Sequence, residues 1–500
     1  MRTLLPSLAV GLGVASCGGD AAPGGDVLLV VIDTLRADAL SCYGNAAPTT
    51  PHLDALAAEG LRFDEALTQA PNTATSHATL FTGLPPWTHR VANLTSLEHG
   101  TAGLPPAFTT LAERYAAAGY DTAAFTDGGP LGRAWNLMQG FDLLQAEYEG
   151  AEAKVDQTLA WLEGRPAGPP DASGRAPHFV FWHTYQVHAP FLPPLELRDR
   201  FNTQPDYDGP VLAAETEARG MRTEGGETEP NGLILLRDKD RFTEADRTYL
   251  RDLYLAELAW TDLQLGRLFD ELQARGEWDD LTVIVTSDHG EEFGEHGRYG
   301  HVQLYRETLR VPLLVKLPGG VFEDWRGRAV TERVNQVDVH ATLLDLLTGE
   351  RGGPAGRSLL EDLERGAFVD RSSFAETTEG FYGAEVQFEQ ATFLRSLRHG
   401  EHAFLERQTT GGLLRELEPA GLPLAFGERA PAPRLRVESP GAESGDGSLR
   451  PVLDTMAARV GAHLESCVEL RLELLDGQDT VFTYRVDEET ADELEALGYL

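Results

Sequence analysis

Short continuous apolar runs alternate along this chain with longer segments whose apolar residues recur at helical spacing. A strand covered on both faces is apolar along its whole length, so the runs predict buried strands. The runs are VLLVVI at 27–32, FVFWH at 179–183, LTVIVT at 281–286 and VPLLVKL at 311–317. Helical spacing occupies 52–63, the first part of 111–125, and 243–275. The alternation predicts an α/β fold with a mostly parallel central sheet and helices on both faces.

Polar side chains stand at the ends of three of these runs. Asp33 ends the first strand, His183 ends the second, and Asp288 follows the third. Ligands of open α/β sheets bind at the carboxyl ends of the strands. We therefore expect these three side chains to meet at one functional site.

The pattern changes after about residue 375, where short strand-like runs such as TFLRSLRHG and HAFLERQ appear. A loop rich in Pro, Gly and Ser at 419–451 leads to a helix and two more strand-like runs, VELRLELL and TVFTYRV. We predict a main domain over 27–380 and a small antiparallel subdomain over 381–500. Residues 203–242 lack periodicity and are interpreted as a surface insertion near the rim of the site.

The first residues carry an export pattern. One charge at Arg2 precedes an apolar run from Leu4 to Val14, which is shorter than the roughly 20 residues that span a bilayer. The sequence VASC, ending at Cys17, resembles a bacterial lipobox, in which the cysteine is lipidated. We predict a lipoprotein signal peptide over 1–17, a flexible tether over 18–26, and a lipid anchor in the bacterial cell envelope, on the periplasmic side or the cell surface. The alternative is an ordinary signal peptide with an incidental cysteine.

The chain is strongly acidic, with 42 Lys and Arg residues, 79 Asp and Glu residues and a net charge of −37. Nucleic acid is an unsuitable partner, because binding its phosphates requires basic clusters. An anionic substrate would also be repelled unless the site is locally positive, and metal ions can supply that charge. Beyond Cys17, Cys42 and Cys467 either pair with each other or stay buried and free.

The segment PNTATSHATLFTG at 71–83 begins a helix at Thr73. It resembles the nucleophile helix of the sulfatase branch of the alkaline phosphatase superfamily, where a Cys or Ser becomes formylglycine and an Arg lies four residues further on. The resemblance implies an alkaline-phosphatase-like fold, with 27–380 as the catalytic domain. Threonine cannot become formylglycine, but its hydroxyl can attack phosphorus when a metal lowers its pKa. Thr73 is thus a candidate nucleophile as well as a favourable N-cap, and His77 replaces the family arginine.

Four residues are candidate metal ligands: Asp33, Thr73, Asp288 and His289. An isolated Asp33 is also a common turn cap, and Asp288 and His289 are also compatible with a solvated acidic loop. Many sulfatases have Asp-Asn where this chain has Asp288-His289, and the phosphatase and phosphodiesterase members have Asp-His. The resemblance therefore implies a divalent cation, with zinc or manganese favoured and calcium allowed. Whether one ion or two bind is open.

Further histidines are candidates for catalysis, for anion contacts or for a second metal. His183 and His188 lie in FWHTYQVHAPF, which resembles a family pattern in which Gln186 would be an Asp. His296 and His301 follow the Asp-His pair, and His301 stands where sulfatases have a lysine. A second family lysine is also missing, from GYDTAAFTDGG, and we expect none of the three lysines to serve either position: Lys154, Lys239 and Lys316. Catalytic roles are expected for His183, His188 and His301 together with Thr73 and His77.

Three functions remain open at this point. The first is a metal-dependent hydrolase or transferase of phosphate or phosphonate esters and diesters, favoured because of Thr73. The second is a sulfatase that uses the unmodified threonine. The third is a non-catalytic envelope lipoprotein that binds an anionic polymer or lipid headgroup. For an enzyme, the substrate would be a small molecule, glycan or lipid with an anionic ester.

Overall fold

The computed structural model describes residues 25–92, 95–96, 100–223, 239–379, 392–399, 402–409, 412–419, 435–439, 442–475 and 483–484. The predicted signal peptide with Cys17, most of the predicted tether and the last sixteen residues lie outside the described residues. No helix of the described part has both the length and the apolar character that a membrane crossing requires.

An eight-stranded sheet forms the centre of the molecule. Its strands are β1 Val27–Ile32, β2 Leu61–Phe63, β3 Asp121–Phe125, β4 Leu143–Gln145, β5 His178–Thr184, β6 Thr282–Thr286, β7 Leu313–Lys316 and β8 Arg328–Val330. They are arranged in the order β8-β2-β7-β6-β1-β5-β3-β4. Only β7 is antiparallel to its neighbours β6 and β2. The predicted mostly parallel α/β sheet is thus confirmed.

Helices cover both faces of the sheet. The helices of two turns or more are α1 Pro51–Glu59, α2 Thr73–Thr82, α3 Leu111–Ala117, α4 Ala151–Glu163, α5 Leu195–Phe201, α6 Pro210–Thr223, α7 Glu244–Ala274, α8 Gln336–Thr348, α9 Leu359–Arg365 and α10 Arg450–Leu474. Alternate residues of β1 enter two separate cores, Leu28, Val30 and Ile32 on one face and Val27, Leu29 and Val31 on the other. Helices α1, α4 and α7 pack on the first face, and α2, α3 and α8 on the second. This double burial explains why β1 is apolar at every position.

A second sheet follows the central one in the chain. It is antiparallel with six strands, β9 Ser373–Glu379, β10 Thr392–His399, β11 His402–Thr409, β12 Gly412–Pro419, β13 Leu435–Ser439 and β14 Ala442–Gly445. Leu397 and Phe404 of this sheet pack against Leu453, Met456 and Val460 of α10. The antiparallel sheet was predicted, but it starts at Ser373, inside the range 27–380 assigned to the main domain.

Two local predictions were wrong. The run VELRLELL at 468–475 alternates like a strand, but residues 468–474 continue α10. A contact of Arg471 favours the helix over a strand here. Its buried guanidinium donates from Nη1 to the Thr88 carbonyl at 2.7 Å, which holds the helix against the Pro86–His89 turn. The surface insertion at 203–242 contains the helix α6, whose periodicity was missed.

Candidate active site

Helix α2 places Thr73 at the carboxyl edge of the central sheet. Asn72 is the N-cap residue and Thr73 is the first helical residue, so Thr73 is not the cap itself. Every residue of α2 is buried, and Thr73 is 0% exposed. The Thr73 hydroxyl donates to Asp33 Oδ2 at 3.1 Å and lies 3.5 Å from His289 Nε2. A buried hydroxyl at a helix N-terminus also lies in the positive end of the helix dipole.

Asp33, Asp288 and His289 are brought together at the ends of β1 and β6. One ligand atom from each lies within 4.8 Å of the others, and all three side chains are buried. The His289 Nδ1–H donates to the Gly290 carbonyl at 3.0 Å, which leaves the Nε2 lone pair directed at the group. In the described part of the chain, this is the one cluster of three such residues that could hold a metal ion.

The buried carboxylates of this group favour binding of a cation. Asp33 Oδ1 and Asp288 Oδ2 are buried and have no hydrogen-bond partner among the described residues. Burial and the adjacent Asp288 carboxylate raise the pKa of Asp33 well above its ordinary value. Burial also acts to raise the pKa of Asp288, but the charges of His289 and His77 outweigh it and hold that pKa below its ordinary value. Two carboxylates and a neutral imidazole form a donor set that suits a divalent metal.

The turn after Asp33 is fixed by contacts from distant elements. Thr34 has a positive φ of 56°, which is unfavourable for a β-branched residue. Its carbonyl accepts a hydrogen bond from the Tyr254 hydroxyl at 2.9 Å, and its own hydroxyl donates to the Val187 carbonyl at 2.9 Å. This conformation directs the Thr34 N–H to Asp288 Oδ1 at 3.3 Å. Thr34 therefore connects the two aspartates.

His77 and His183 lie beside the two carboxylates. His77 Nδ1 donates to the Thr73 carbonyl at 2.8 Å and lies 3.7 Å from Asp288 Oδ2. His183 Nε2 lies 3.5 Å from Asp33 Oδ2. The two rings are 5.2 Å apart, and burial lowers the pKa of both. His77 Nε2 and both His183 nitrogens are buried without a hydrogen-bond partner among the described residues. Because His77 donates through Nδ1, its neutral ring has a lone pair at Nε2, whereas neutral His183 can donate one hydrogen bond to a substrate oxygen.

His188 and His301 form the outer part of the site. Their ring centroids are 5.3 Å apart, and the His301 ring lies 4.4 Å from that of His289. His301 Nδ1 lies 3.2 Å from Glu291 Oε2, a hydrogen bond between buried partners. His188 Nδ1 donates to the Ala189 carbonyl at 2.6 Å. Burial, followed by the charge of His301, lowers the pKa of His188 to about 4.

His296 has different neighbours from the other candidate histidines. Its Nε2 lies 3.1 Å from Glu307 Oε2, and its ring stacks on Tyr305 at 3.5 Å. The structure does not bring it into the cluster of Asp33, Asp288 and His289. Cys42 and Cys467 are free cysteines in the structure.

Several residues that build the site were missed by sequence reasoning. The Ser76 hydroxyl donates to the Asp288 carbonyl at 2.6 Å and also lies 2.7 Å from Gln336 Oε1, which joins α2 and α8 to the loop of Asp288 and His289. Lys154 lies near one of the two segments from which a family lysine is missing. Its Nζ is 4.0 Å from Asp127 Oδ1, and Asp127 stands in GYDTAAFTDGG, the segment from which a family lysine is missing.

The fold and this group of side chains define an ester hydrolase of the alkaline phosphatase superfamily. The chain belongs to the sulfatase family, whose model matches residues 25–349. It is therefore a sulfatase-family hydrolase of anionic esters, and the predictions of the family and of an ester hydrolase are confirmed. Enzymes of this family depend on a metal, and Asp33, Asp288 and His289 are the residues that fit one.

An alkaline phosphatase superfamily protein, a sulfatase and a phosphonate monoester hydrolase are all similar to this chain. The multifunctional alkaline phosphatase superfamily protein PehA of Trinickia caryophylli is 26% identical over 68% of this chain and 77% of its own length. An ulvan-active sulfatase of Formosa agariphila is 27% identical over 64% of this chain and 61% of its own length. Among solved structures, the phosphonate monoester hydrolase of Silicibacter pomeroyi aligns with a TM-score of 0.66 at 21% identity, covering 93% of this chain and all (100%) of that one. That structural likeness supports the fold alone.

Proposed function

We propose that this protein hydrolyses phosphate or phosphonate esters, including diesters, with Thr73 as the nucleophile. The observation that carries the proposal is the Thr73 hydroxyl, which is buried at the start of α2 and donates to Asp33 Oδ2 at 3.1 Å. A threonine cannot supply the aldehyde of a formylglycine, so the oxygen that attacks is its own hydroxyl. The similarity to the Trinickia alkaline phosphatase superfamily protein supports phosphorus chemistry in a chain of this family.

Asp33, Asp288 and His289 would hold the metal, with zinc or manganese suited to the carboxylate and imidazole donors. When bound, a divalent ion lowers the pKa of a nearby hydroxyl and offsets the charge of the ester's anionic oxygens. His77 and His183 flank the two carboxylates. His183 is placed to donate a hydrogen bond to an oxygen on phosphorus that does not leave, whereas the Nδ1 of His77 donates to the Thr73 carbonyl and holds the ring beside the nucleophile.

Attack proceeds with the proton acceptor already in contact. The Thr73 hydroxyl passes its proton to Asp33 Oδ2, with which it is hydrogen-bonded. The bond from Thr73 Oγ1 to phosphorus forms while the bond to the leaving oxygen breaks. Water then attacks phosphorus, and Thr73 departs with the proton held by Asp33.

His301 is the best-placed proton donor for the leaving alcohol. Its Nδ1 is hydrogen-bonded to the Glu291 carboxylate, which fixes the orientation of the ring. Burial acts to raise the pKa of Glu291, but the charge and hydrogen bond of His301 outweigh it and hold that pKa below its ordinary value. His301 loses its proton to the leaving oxygen and recovers one from the attacking water. His188 lies beside His301 and completes the wall of this part of the site.

A comparison of phosphorus esters with a sulfate ester, all releasing the same p-nitrophenolate, tests the proposal. Purified protein is assayed with p-nitrophenyl phosphate, bis-p-nitrophenyl phosphate, p-nitrophenyl phenylphosphonate and p-nitrophenyl sulfate across zinc, manganese and calcium. We expect at least one phosphorus ester to be turned over faster than the sulfate. A preference for the sulfate would favour sulfatase activity with an unmodified threonine and would refute the phosphorus assignment.

Substitutions at Thr73 test the nucleophile separately. Thr73→Ala should lower kcat by about 10³-fold or more, as expected for loss of a covalent nucleophile, while Thr73→Ser should keep measurable turnover. Wild-type turnover by Thr73→Ala would refute the role of Thr73.

The cellular location is proposed separately from the chemistry. We infer that Cys17 is lipidated and holds the enzyme at the cell envelope, because VASC matches the lipobox pattern. Cys17→Ala should move the protein from the membrane fraction to the soluble fraction in a bacterial host. Equal membrane retention of both forms would refute lipid anchoring at this residue.

A further inference from the structure

Asp127 is a buried carboxylate that joins three parts of the site's edge. It follows β3 and is 0% exposed. Its Oδ2 accepts from the Thr184 hydroxyl at 2.7 Å and from the Tyr185 N–H at 2.9 Å, both at the carboxyl end of β5. Its Oδ1 accepts from the Gly150 N–H at 2.9 Å, just before α4. One side chain thus binds the end of a central strand to the start of a helix.

Lys154 supplies the opposite charge from the first turns of α4. Its side chain is 0% exposed, and its Nζ lies 4.0 Å from Asp127 Oδ1 and 3.6 Å from Glu149 Oε2. It also donates to Gln157 Oε1 at 3.2 Å. A buried ammonium is retained only where carboxylates compensate it. The pair therefore ties α4 to Asp127, and through Asp127 to β5.

The segment held in this way carries two of the site's histidines. His183 precedes Thr184 directly, and His188 follows Tyr185 by three residues. The intervening Gln186 reinforces the connection, because its Oε1 accepts from the Ala151 N–H at 3.2 Å and its Nε2 donates to Glu257 Oε2 at 2.6 Å. The orientation of both imidazoles thus depends on contacts made on the α4 side of the strand.

We propose that Asp127 and Lys154 are positioning residues, which hold the 183–188 segment so that His183 and His188 face the ester during attack by Thr73. The proposal rests on the proposed function for the identity of the nucleophile. It assigns a role in this chain to the segment that lacks the family lysine. In place of the missing lysine, the segment has Asp127 paired with Lys154. The pair is buried and has no net charge, so its effect is on the geometry of the 183–188 segment.

The molecule offers a matched control at the other end of the same strand. Asp26 is 2% exposed, and its Oδ1 accepts from the His178 N–H at 2.9 Å at the amino end of β5. It also pairs with the Arg175 guanidinium, whose Nη1 lies 2.9 Å from Oδ1. Asp26 and Asp127 therefore make the same kind of contact, but only Asp127 is at the site. Asp26→Asn and Asp127→Asn each replace a carboxylate with an amide, at two positions that are similarly buried.

The experiment measures kcat, KM, metal content and melting temperature for both variants, using whichever ester the wild-type protein hydrolyses. We expect Asp127→Asn to lower kcat by about 10- to 100-fold, the effect of displacing a catalytic group by about 1 Å, with metal content unchanged. Asp26→Asn should lower the melting temperature with kcat within about twofold of wild type. Equal kcat values for the two folded variants would overturn the proposal. A wild type that hydrolyses only the sulfate would refute the proposed function and leave this comparison measurable.

A milder variant keeps the proposal testable if Asp127→Asn does not fold. Thr184→Val preserves the size of the side chain and removes two hydrogen bonds of the hydroxyl, the one donated to Asp127 Oδ2 and the one accepted from the Gln186 N–H at 3.1 Å. It should lower kcat by about 3- to 10-fold, the order expected for losing one or two hydrogen bonds that orient the segment, with KM nearly unchanged. A loss in melting temperature without any loss in kcat would show a purely structural role and would overturn the proposal.

Discussion

Two pairs of buried aspartates in this fold compensate their charges in different ways. Asp338 on α8 and Asp362 on α9 both form ion pairs with Arg371, and Arg357 Nη2 donates to Asp362 Oδ1 at 2.8 Å. The protein itself thus supplies the cations for this pair.

Asp33 and Asp288 are as deeply buried, at 0% exposure each. Within the described ranges, the side chains that form ion pairs with them are histidines: His77, His183 and His289. An imidazole compensates a carboxylate only while it is protonated, and burial lowers the pKa of His289 to about 4. The two pairs therefore differ in the source of their counter-charge: arginines of the chain pair with Asp338 and Asp362, whereas Asp33 and Asp288 belong to a group that could hold a cation from outside the chain.

The largest expected effect is on catalysis. Asp288→Asn removes one carboxylate from the metal-binding group, so kcat should fall by about 10³-fold or more and the purified protein should contain less metal. Steady-state kinetics and elemental analysis measure the two quantities. Full metal content and full turnover in this variant would show that Asp288 does not bind the metal.

The second effect concerns the arginine-compensated pair. Asp362→Asn leaves Arg371 and Arg357 with one carboxylate partner fewer, so the free energy of unfolding should fall by about 3 kcal/mol. Metal content should stay at the wild-type value, because no arginine-paired aspartate belongs to the metal-binding group. Denaturant unfolding together with elemental analysis checks this, and metal loss in Asp362→Asn would break the comparison.

The third effect is the stabilisation that the metal itself provides. At about 100 times its dissociation constant, a bound ion should raise the free energy of unfolding by about 2.7 kcal/mol. Wild type and Asp362→Asn should show this increase, and Asp288→Asn should show little of it. Thermal melting with and without a chelator measures the effect, and an equal increase in all three proteins would place the metal elsewhere.

The smallest expected effect is a change in stability on Asp→Asn substitution, and its sign differs between the two aspartate pairs. Burial raises the pKa of Asp33 above 3.8 in the folded protein, so the metal-free protein loses stability as pH rises through that raised pKa. Asp33→Asn does not titrate, and at neutral pH without metal it should be more stable than wild type by about 1 kcal/mol. Unfolding in chelator at two pH values tests this. Destabilisation like that of Asp362→Asn would mean that Asp33 already has its compensating partner within the chain.

The sequence predicted the part of the site that depends on strand ends. Asp33, His183 and Asp288 follow buried strands, and the parallel sheet brings those ends together. The partners that come from distant elements left no local signal. Gln336 contacts Ser76 across 260 residues of chain, and Lys154 reaches Asp127 through the packing of α4.

The missed helix at 468–474 has a similar origin. The alternation of VELRLELL is a local signal for a strand, but a tertiary contact of Arg471 with the Thr88 carbonyl overrides it. Glu291 was visible in the sequence beside the Asp-His pair. Its role became clear only from its hydrogen bond to His301.

The most direct test of the central claim is to trap the covalent intermediate. The metal-loaded enzyme is mixed with a phosphorus ester, quenched in acid during turnover and digested for mass spectrometry. The account predicts that the peptide containing Thr73 gains the mass of one phosphoryl or phosphonyl group, and that the adduct is absent from Thr73→Ala. Turnover that produces no adduct on that peptide and is retained in Thr73→Ala would contradict the account.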